Sequence, residues 1–188
     1  MQREFSNDGT TIDQLSHLSQ KVAIRWVIMG VSGCGKSEIG SRLAARMGVC
    51  YAEGDDDHPS DNVIKMAAGF PLDDADRQQW LLILQQRLHV AVAAGEGLVV
   101  SCSALKRRYR DVLRAADPAL VFIHLGGSRE LIAERLNARS HRFMPSTLLD
   151  SQFGTLEPLE SDEIGMLLDI SLTPNQIIEE ISERWIPA

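Results

Sequence analysis

The sequence predicts an α/β protein built on a central parallel sheet. Three observations carry that expectation. From residue 22 onward, short apolar runs alternate with amphipathic stretches of helical length. The first run, Trp26-Val27-Ile28-Met29, leads directly into Gly30-Val31-Ser32-Gly33-Cys34-Gly35-Lys36-Ser37, which satisfies G-x-x-x-x-G-K-[ST], the phosphate-binding P-loop. The stretch after it, Glu38 to Met47, repeats apolar residues at Ile39, Leu43 and Met47, the spacing of a helix.

In chain order, strands are expected at Arg25–Gly30, Val49–Glu53, Gly97–Cys102, Leu120–Leu125 and Met166–Ile170. Helical patterns lie at Lys36–Met47, Ser60–Ala68, Asp74–Ala94, Lys106–Ala116, Arg129–Ala138 and Pro174–Trp185. The longest opens with Pro71-Leu72-Asp73-Asp74-Ala75-Asp76, where proline and aspartates suit the exposed amides and positive dipole of a helix start. Leu81, Leu84, Leu88 and Val92 form its core stripe, and Arg77 and Trp80 flank that stripe with no role that spacing assigns. Residues 1–20 are polar without strong periodicity and are expected to be a mobile N-terminal extension, leaving 21–188 as a single domain.

Composition narrows the function. A net charge of −7 argues against nucleic acid or an anionic membrane as main partner. No apolar run approaches the length of a membrane span, and no basic-then-apolar leader opens the chain. Cys34, Cys50 and Cys102 lack metal-site spacing and read as reduced thiols of a cytoplasmic protein. There are only four lysines, Lys21, Lys36, Lys65 and Lys106; all but Lys21 fall in segments that bear on the expected site.

The chemistry should gather outside the carboxyl ends of the strands. In the P-loop, Gly30, Gly33 and Gly35 let the chain close around an anion at a helix N-terminus. Lys36 is placed for the outer phosphates of a nucleotide triphosphate, and the Ser37 hydroxyl for Mg²⁺. After the second strand, Glu53-Gly54-Asp55-Asp56-Asp57-His58-Pro59 offers Asp55 as the carboxylate that accepts a proton from a substrate hydroxyl, with Asp56 or Asp57 capping the next helix. After the third, Ser103-Ala104-Leu105-Lys106-Arg107-Arg108-Tyr109-Arg110 sets cations at a helix start, where the dipole disfavours them. A bound anion would compensate, and Lys106 and Arg110 share one face. Arg135 and Arg139, followed by Ser140-His141-Arg142-Phe143-Met144-Pro145, read as a lid over phosphates, about residues 139–157. The third and fourth strands carry no aspartate and no Asn-Lys-x-Asp motif occurs, so a small kinase fits better than a motor or a switch. A kinase for another small acceptor, such as idonate, shikimate or a nucleoside monophosphate, and a catalytically silent nucleotide-binding module are the competing readings.

Several blocks, in order and spacing, resemble the thermoresistant gluconokinase family, relatives of the adenylate and shikimate kinases. They are Met29 to Ser37, Gly54-Asp55-Asp56-Asp57-His58-Pro59, Pro71-Leu72-Asp73-Asp74-Ala75-Asp76-Arg77, Cys102-Ser103-Ala104-Leu105-Lys106, and Phe143-Met144-Pro145 with Ser151-Gln152-Phe153. The resemblance implies a phosphotransferase that uses ATP and Mg²⁺ to phosphorylate D-gluconate at its 6-hydroxyl, giving 6-phospho-D-gluconate and ADP. It implies a P-loop NTPase fold of the nucleoside-monophosphate-kinase kind: a five-stranded parallel sheet in the order 2-3-1-4-5, a mobile lid, and a homodimer. Carried over by position, Asp55 is the base, and Gly30 to Ser37 with Arg135, Arg139 and Pro174 hold ATP. His58, Lys65, Lys106, Arg110 and Arg142 join Asp55 on the substrate side. Arg142 stands where members often carry histidine, which adds positive charge to the lid, and Cys34 stands where many carry serine. A thiol there would make the loop sensitive to oxidation.

Overall fold

The computed structural model describes residues 23–138 and 146–185. The expected N-terminal extension, and Arg139 and Arg142 of the expected lid, lie outside the described residues. Five strands form one parallel sheet: β1 (Arg25–Met29), β2 (Cys50–Glu53), β3 (Leu98–Ser101), β4 (Val121–Gly126) and β5 (Gly165–Asp169). Their spatial order is β2-β3-β1-β4-β5, as the resemblance implied. The central strand β1 pairs with both β3 and β4, Val27 standing opposite Val100 on one side and Phe122 on the other.

A parallel sheet is covered on both faces, so its inner strands must be apolar on both. Trp26, Val27, Ile28 and Met29 are all fully buried. Trp26 and Ile28 pack toward α1 (Lys36–Met47) and α7 (Pro174–Trp185), whereas Val27 and Met29 pack toward α3 (Asp74–Ala93) and α4 (Arg107–Arg114). The remaining helices are α2 (Ser60–Ala67), α5 (Arg129–Asn137) and α6 (Ser146–Thr155), with a 3-10 turn at Gly54–Asp57. Among the described residues no helix is long and apolar enough to cross a membrane.

The start of α3 follows from its aspartates. Asp73 accepts the Asp76 amide at 2.9 Å, and the Asp76 carboxylate accepts the Asp73 amide at 2.8 Å, a reciprocal cap that satisfies two orphan donors. The later part of the segment expected as a lid contains a helix that periodicity did not predict. Ser146 to Thr155 is a helix anchored in the core through Leu149, 2% exposed, and Leu156 beyond it touches both core clusters. Glu157 then donates its amide to Leu105 at 2.7 Å.

Candidate active site at the carboxyl ends of the strands

The P-loop leaves β1 and turns back through Gly33 at φ 87° and Gly35 at φ 103°, conformations that side chains resist. The amides of Gly33, Gly35 and Ser37 make no hydrogen bond to the described residues and converge at the N-terminus of α1, a ready anion nest. Lys36 rests its ammonium on the Val31 carbonyl at 3.2 Å. Ser32 is held from far along the chain: its amide donates to Gln152 Oε1 at 2.7 Å, and Gln152 Nε2 donates to Ser32 Oγ at 3.2 Å. Cys34 is 1% exposed, and burial pushes its thiol above the ordinary range despite nearby Lys36. The expectation of oxidation sensitivity is therefore corrected, because the reactive species is an accessible thiolate.

Beside the nest lies a cavity of about 280 Å³, lined by Cys34, Gly35, Glu38, Arg135, Leu172 and Pro174 among others. Arg135 is fixed there by donating to the Ile170 carbonyl at 2.6 Å. Two residues expected on the ATP side, Arg135 and Pro174, thus meet the P-loop in one recess.

Across the sheet, β2 ends against β3. A Cβ on Gly54 would stand 2.0 Å from the Ser101 carbonyl oxygen, so only glycine permits this approach. The Gly54 amide donates to Ser101 Oγ at 3.1 Å, and its carbonyl accepts the Trp80 indole N–H at 2.7 Å. Trp80 also stacks on His58, with ring centroids 4.1 Å apart. These contacts fix the turn that presents Asp55 to solvent. Burial lowers the His58 pKa, outweighing the pull of Asp55, while Arg77 lowers it further. Asp55 follows the carboxyl end of β2 and Lys36 that of β1, and in the sheet only β3 lies between them, leading into the buried Cys102.

Glu53 closes β2 and was not a sequence candidate. Its carboxylate accepts from Ser101 Oγ and, at 2.8 Å, from the Tyr51 hydroxyl. Burial opposes ionisation, but hydrogen bonds from Ser101, Ser37 and Tyr51 outweigh it and lower its pKa. The carboxylate is therefore favoured in its charged form. The available signal was an acidic residue ending an apolar strand, sought in the third and fourth strands but present in the second. Arg77 and Gln152 were also missed. Among the described residues Arg77 forms no ion pair, and it lies 5.9 Å from the Tyr109 ring centroid. Gln152 lies in one of the blocks that carry the resemblance, but its spacing gives it no role.

Three basic assignments need correction or restriction. Arg110 is fully buried and pairs with Glu163 at 2.6 and 2.8 Å, with its remaining donors on the carbonyls of Ala104, Glu157 and Pro158. It does not reach the cleft. Lys65 is engaged by Asp73 and Asp76, tying α2 to the cap of α3. Lys106 pairs with Asp74 at 2.9 Å, yet stands over the same Tyr109 ring as Arg77 and so stays at the cleft rim. The cations at the start of α4 are balanced by protein carboxylates, since Arg107 pairs with Asp111, Glu160 and Asp162. No anionic ligand is needed to explain them. Asp57, expected as a helix cap, instead pairs with Arg87 at 2.6 Å, and Pro59 holds the cap position of α2.

Comparison with known proteins gives a consistent picture. The shikimate kinase family profile matches residues 32–157. Gluconokinase from Gluconobacter oxydans (strain 621H) is 44% identical over 159 residues, covering 85% of this chain and 89% of that protein. The unliganded structure of a sugar kinase from Janibacter sp. HTCC2649 superposes with a TM-score of 0.82 at 43% identity, covering 86% of this chain and 93% of the other. A gluconokinase structure from Sinorhizobium meliloti 1021 gives a TM-score of 0.78 at 42% identity over 85% of this chain and 89% of its own.

Proposed function

The chain belongs to the gluconokinase family, within the wider group of shikimate-kinase-like P-loop kinases, and on that premise we propose how its own residues carry out the reaction. It is a phosphotransferase that moves the terminal phosphoryl group of ATP to gluconate. We assign the 6-hydroxyl as acceptor, with 6-phospho-D-gluconate and ADP as products. The placement of Asp55 past β2 and of the P-loop with Lys36 past β1, at the same edge of the parallel sheet with only β3 between them, is the observation that carries this reading. A carboxylate base beside a phosphate-binding cation is what transfer to the hydroxyl of a sugar acid requires.

In this reading the free amides of the nest and Lys36 hold the phosphates, while Arg135 and Pro174 border the base. Asp55 takes the proton of the attacking hydroxyl. His58, Arg77 and Lys106 orient the sugar acid, Arg77 taking its carboxylate because no protein carboxylate among the described residues engages it. Among the described residues no cluster of three or more metal-ligating side chains occurs, which suits Mg²⁺, an ion usually bound through substrate phosphates with one or two protein oxygens. Ser37 and, beyond it, Glu53 would hold the ion. When bound it offsets charge on the outer phosphates. A cytoplasmic location accords with three free thiols, and a homodimer completes the proposal by family likeness.

The test is ADP release with Mg-ATP against D-gluconate, idonate, shikimate, AMP and no acceptor, in the natural chain and in Asp55→Ala. Turnover with gluconate alone is expected, falling about 10²–10⁴-fold in the variant while nucleotide affinity holds. Unchanged turnover in Asp55→Ala removes the base assignment, and preference for another acceptor removes the substrate.

A further inference from the structure

The pair of hydrogen bonds between Gln152 and Ser32 has no part in the assignments above. It joins residues 120 positions apart at 2.7 and 3.2 Å. The carboxamide is presented by an anchored helix: Leu149 is buried on α6, Phe153 packs against the same core, and the Leu156 amide bonds to the Gln152 carbonyl at 3.0 Å. A half-buried glutamine on such a helix is held in place rather than sampling solvent.

The position along the loop is informative. Cys34 and Gly35 line the recess assigned to the base. Val31 and Ser32 stand at the other end of the loop, and the Lys36 ammonium rests on the Val31 carbonyl. Lys36 is the residue that reaches the outer phosphates. Ser32 is therefore at the end of the nest where the last phosphoryl group of a nucleotide lies. A primary carboxamide has two N–H donors, and the Nε2 group uses only the bond to Ser32 Oγ among the described residues.

We propose that Gln152 is a positioning residue that distinguishes a nucleoside triphosphate from a diphosphate. Its Oε1 fixes the Ser32 amide, and its second Nε2 hydrogen donates to the outermost phosphoryl oxygen. This rests on the reading of the nest as the nucleotide site. A neutral amide suits this role, because a carboxylate in its place would still accept the Ser32 amide but would offer no donor and would repel the phosphate.

Calorimetric titration with a non-hydrolysable ATP analogue and with ADP, both with Mg²⁺, tests it in the natural chain, in Gln152→Glu and in Gln152→Met. Hydrogen bonds to charged partners carry enough free energy for the triphosphate analogue to weaken about tenfold or more in both variants, while ADP changes by less than about twofold. Gln152→Met keeps length and apolar packing, so a fold defect in the glutamate variant alone would not mimic the result. Equal weakening of both nucleotides, or no weakening of either, overturns the inference and leaves Gln152 as a structural tie. Failure of the natural chain to bind either nucleotide overturns the reading of the nest, and this inference with it.

Discussion

Arg77 shows what a single side chain can reveal once its surroundings are known. It is partly buried, lies 5.9 Å from the Tyr109 ring centroid, and no carboxylate among the described residues pairs with it. A partly buried cation that no protein carboxylate neutralises is suited to bind an anion. Replacing it in Arg77→Met should raise KM for gluconate by about tenfold or more with a smaller change in kcat, measured by initial rates at saturating ATP. An unchanged KM would return Arg77 to a packing role against Tyr109. Lys36 and Asp55 could be nominated from sequence because their cues are local: one sits in a glycine-rich loop, the other just past a strand. Arg110 was misread because its counter-charge, Glu163, lies 53 residues away, and Arg77 had no reading because its neighbours come from other segments.

Between elements, one close constraint on the site is the approach of α1 to β2. Gly40 is buried on α1, and a Cβ there would stand 2.6 Å from Tyr51 Cε2. The missing side chain leaves room for the ring, which lets the Tyr51 hydroxyl bond to Glu53. A glycine inside a helix costs about 0.5–1 kcal/mol relative to alanine, so the contact must be worth more than the propensity it forgoes. Gly40→Ala should lower stability by about 1–3 kcal/mol in denaturant titration, the usual cost of overpacking. The same variant should need more Mg²⁺ for half-maximal turnover, because Glu53 loses its hydroxyl partner. An alanine variant as stable as the parent would mean the ring moves aside freely. Element types were legible from periodicity, whereas α6 was not. Its apolar residues Leu148, Leu149 and Phe153 make too short a stripe after Pro145, and only packing against the core reveals the helix.

At the scale of the molecule, Arg110 and Glu163 clasp α4 to the segment before β5, with both side chains fully buried. Removing one partner of such a pair typically costs about 3–5 kcal/mol, since the other is left buried and uncompensated. Burial alone would raise the Glu163 pKa, but hydrogen bonds from Arg110 and the Glu160 amide outweigh it and hold it below the usual carboxylate range. The folded state then favours the ionised form, so this stability is complete above the unfolded value of about 4.3 and is lost as pH falls through the lower folded value. Thermal melts should therefore hold level near neutrality and drop in acid, with Glu163→Gln melting lower at neutral pH and showing a shallower acid limb. Parallel pH profiles for parent and variant would remove the clasp as the cause. The sheet order has a consequence for the chain as it is made. β1 is synthesised first but sits in the middle, and the partners of Arg25 and Trp26 emerge about 70 and 95 residues later. The loop for phosphate follows β1 at once, yet its braces, Ser103 and Gln152, come much further on. Among the described elements, β1 therefore cannot pair in the sheet, nor the phosphate loop gain its braces, until those later segments have emerged.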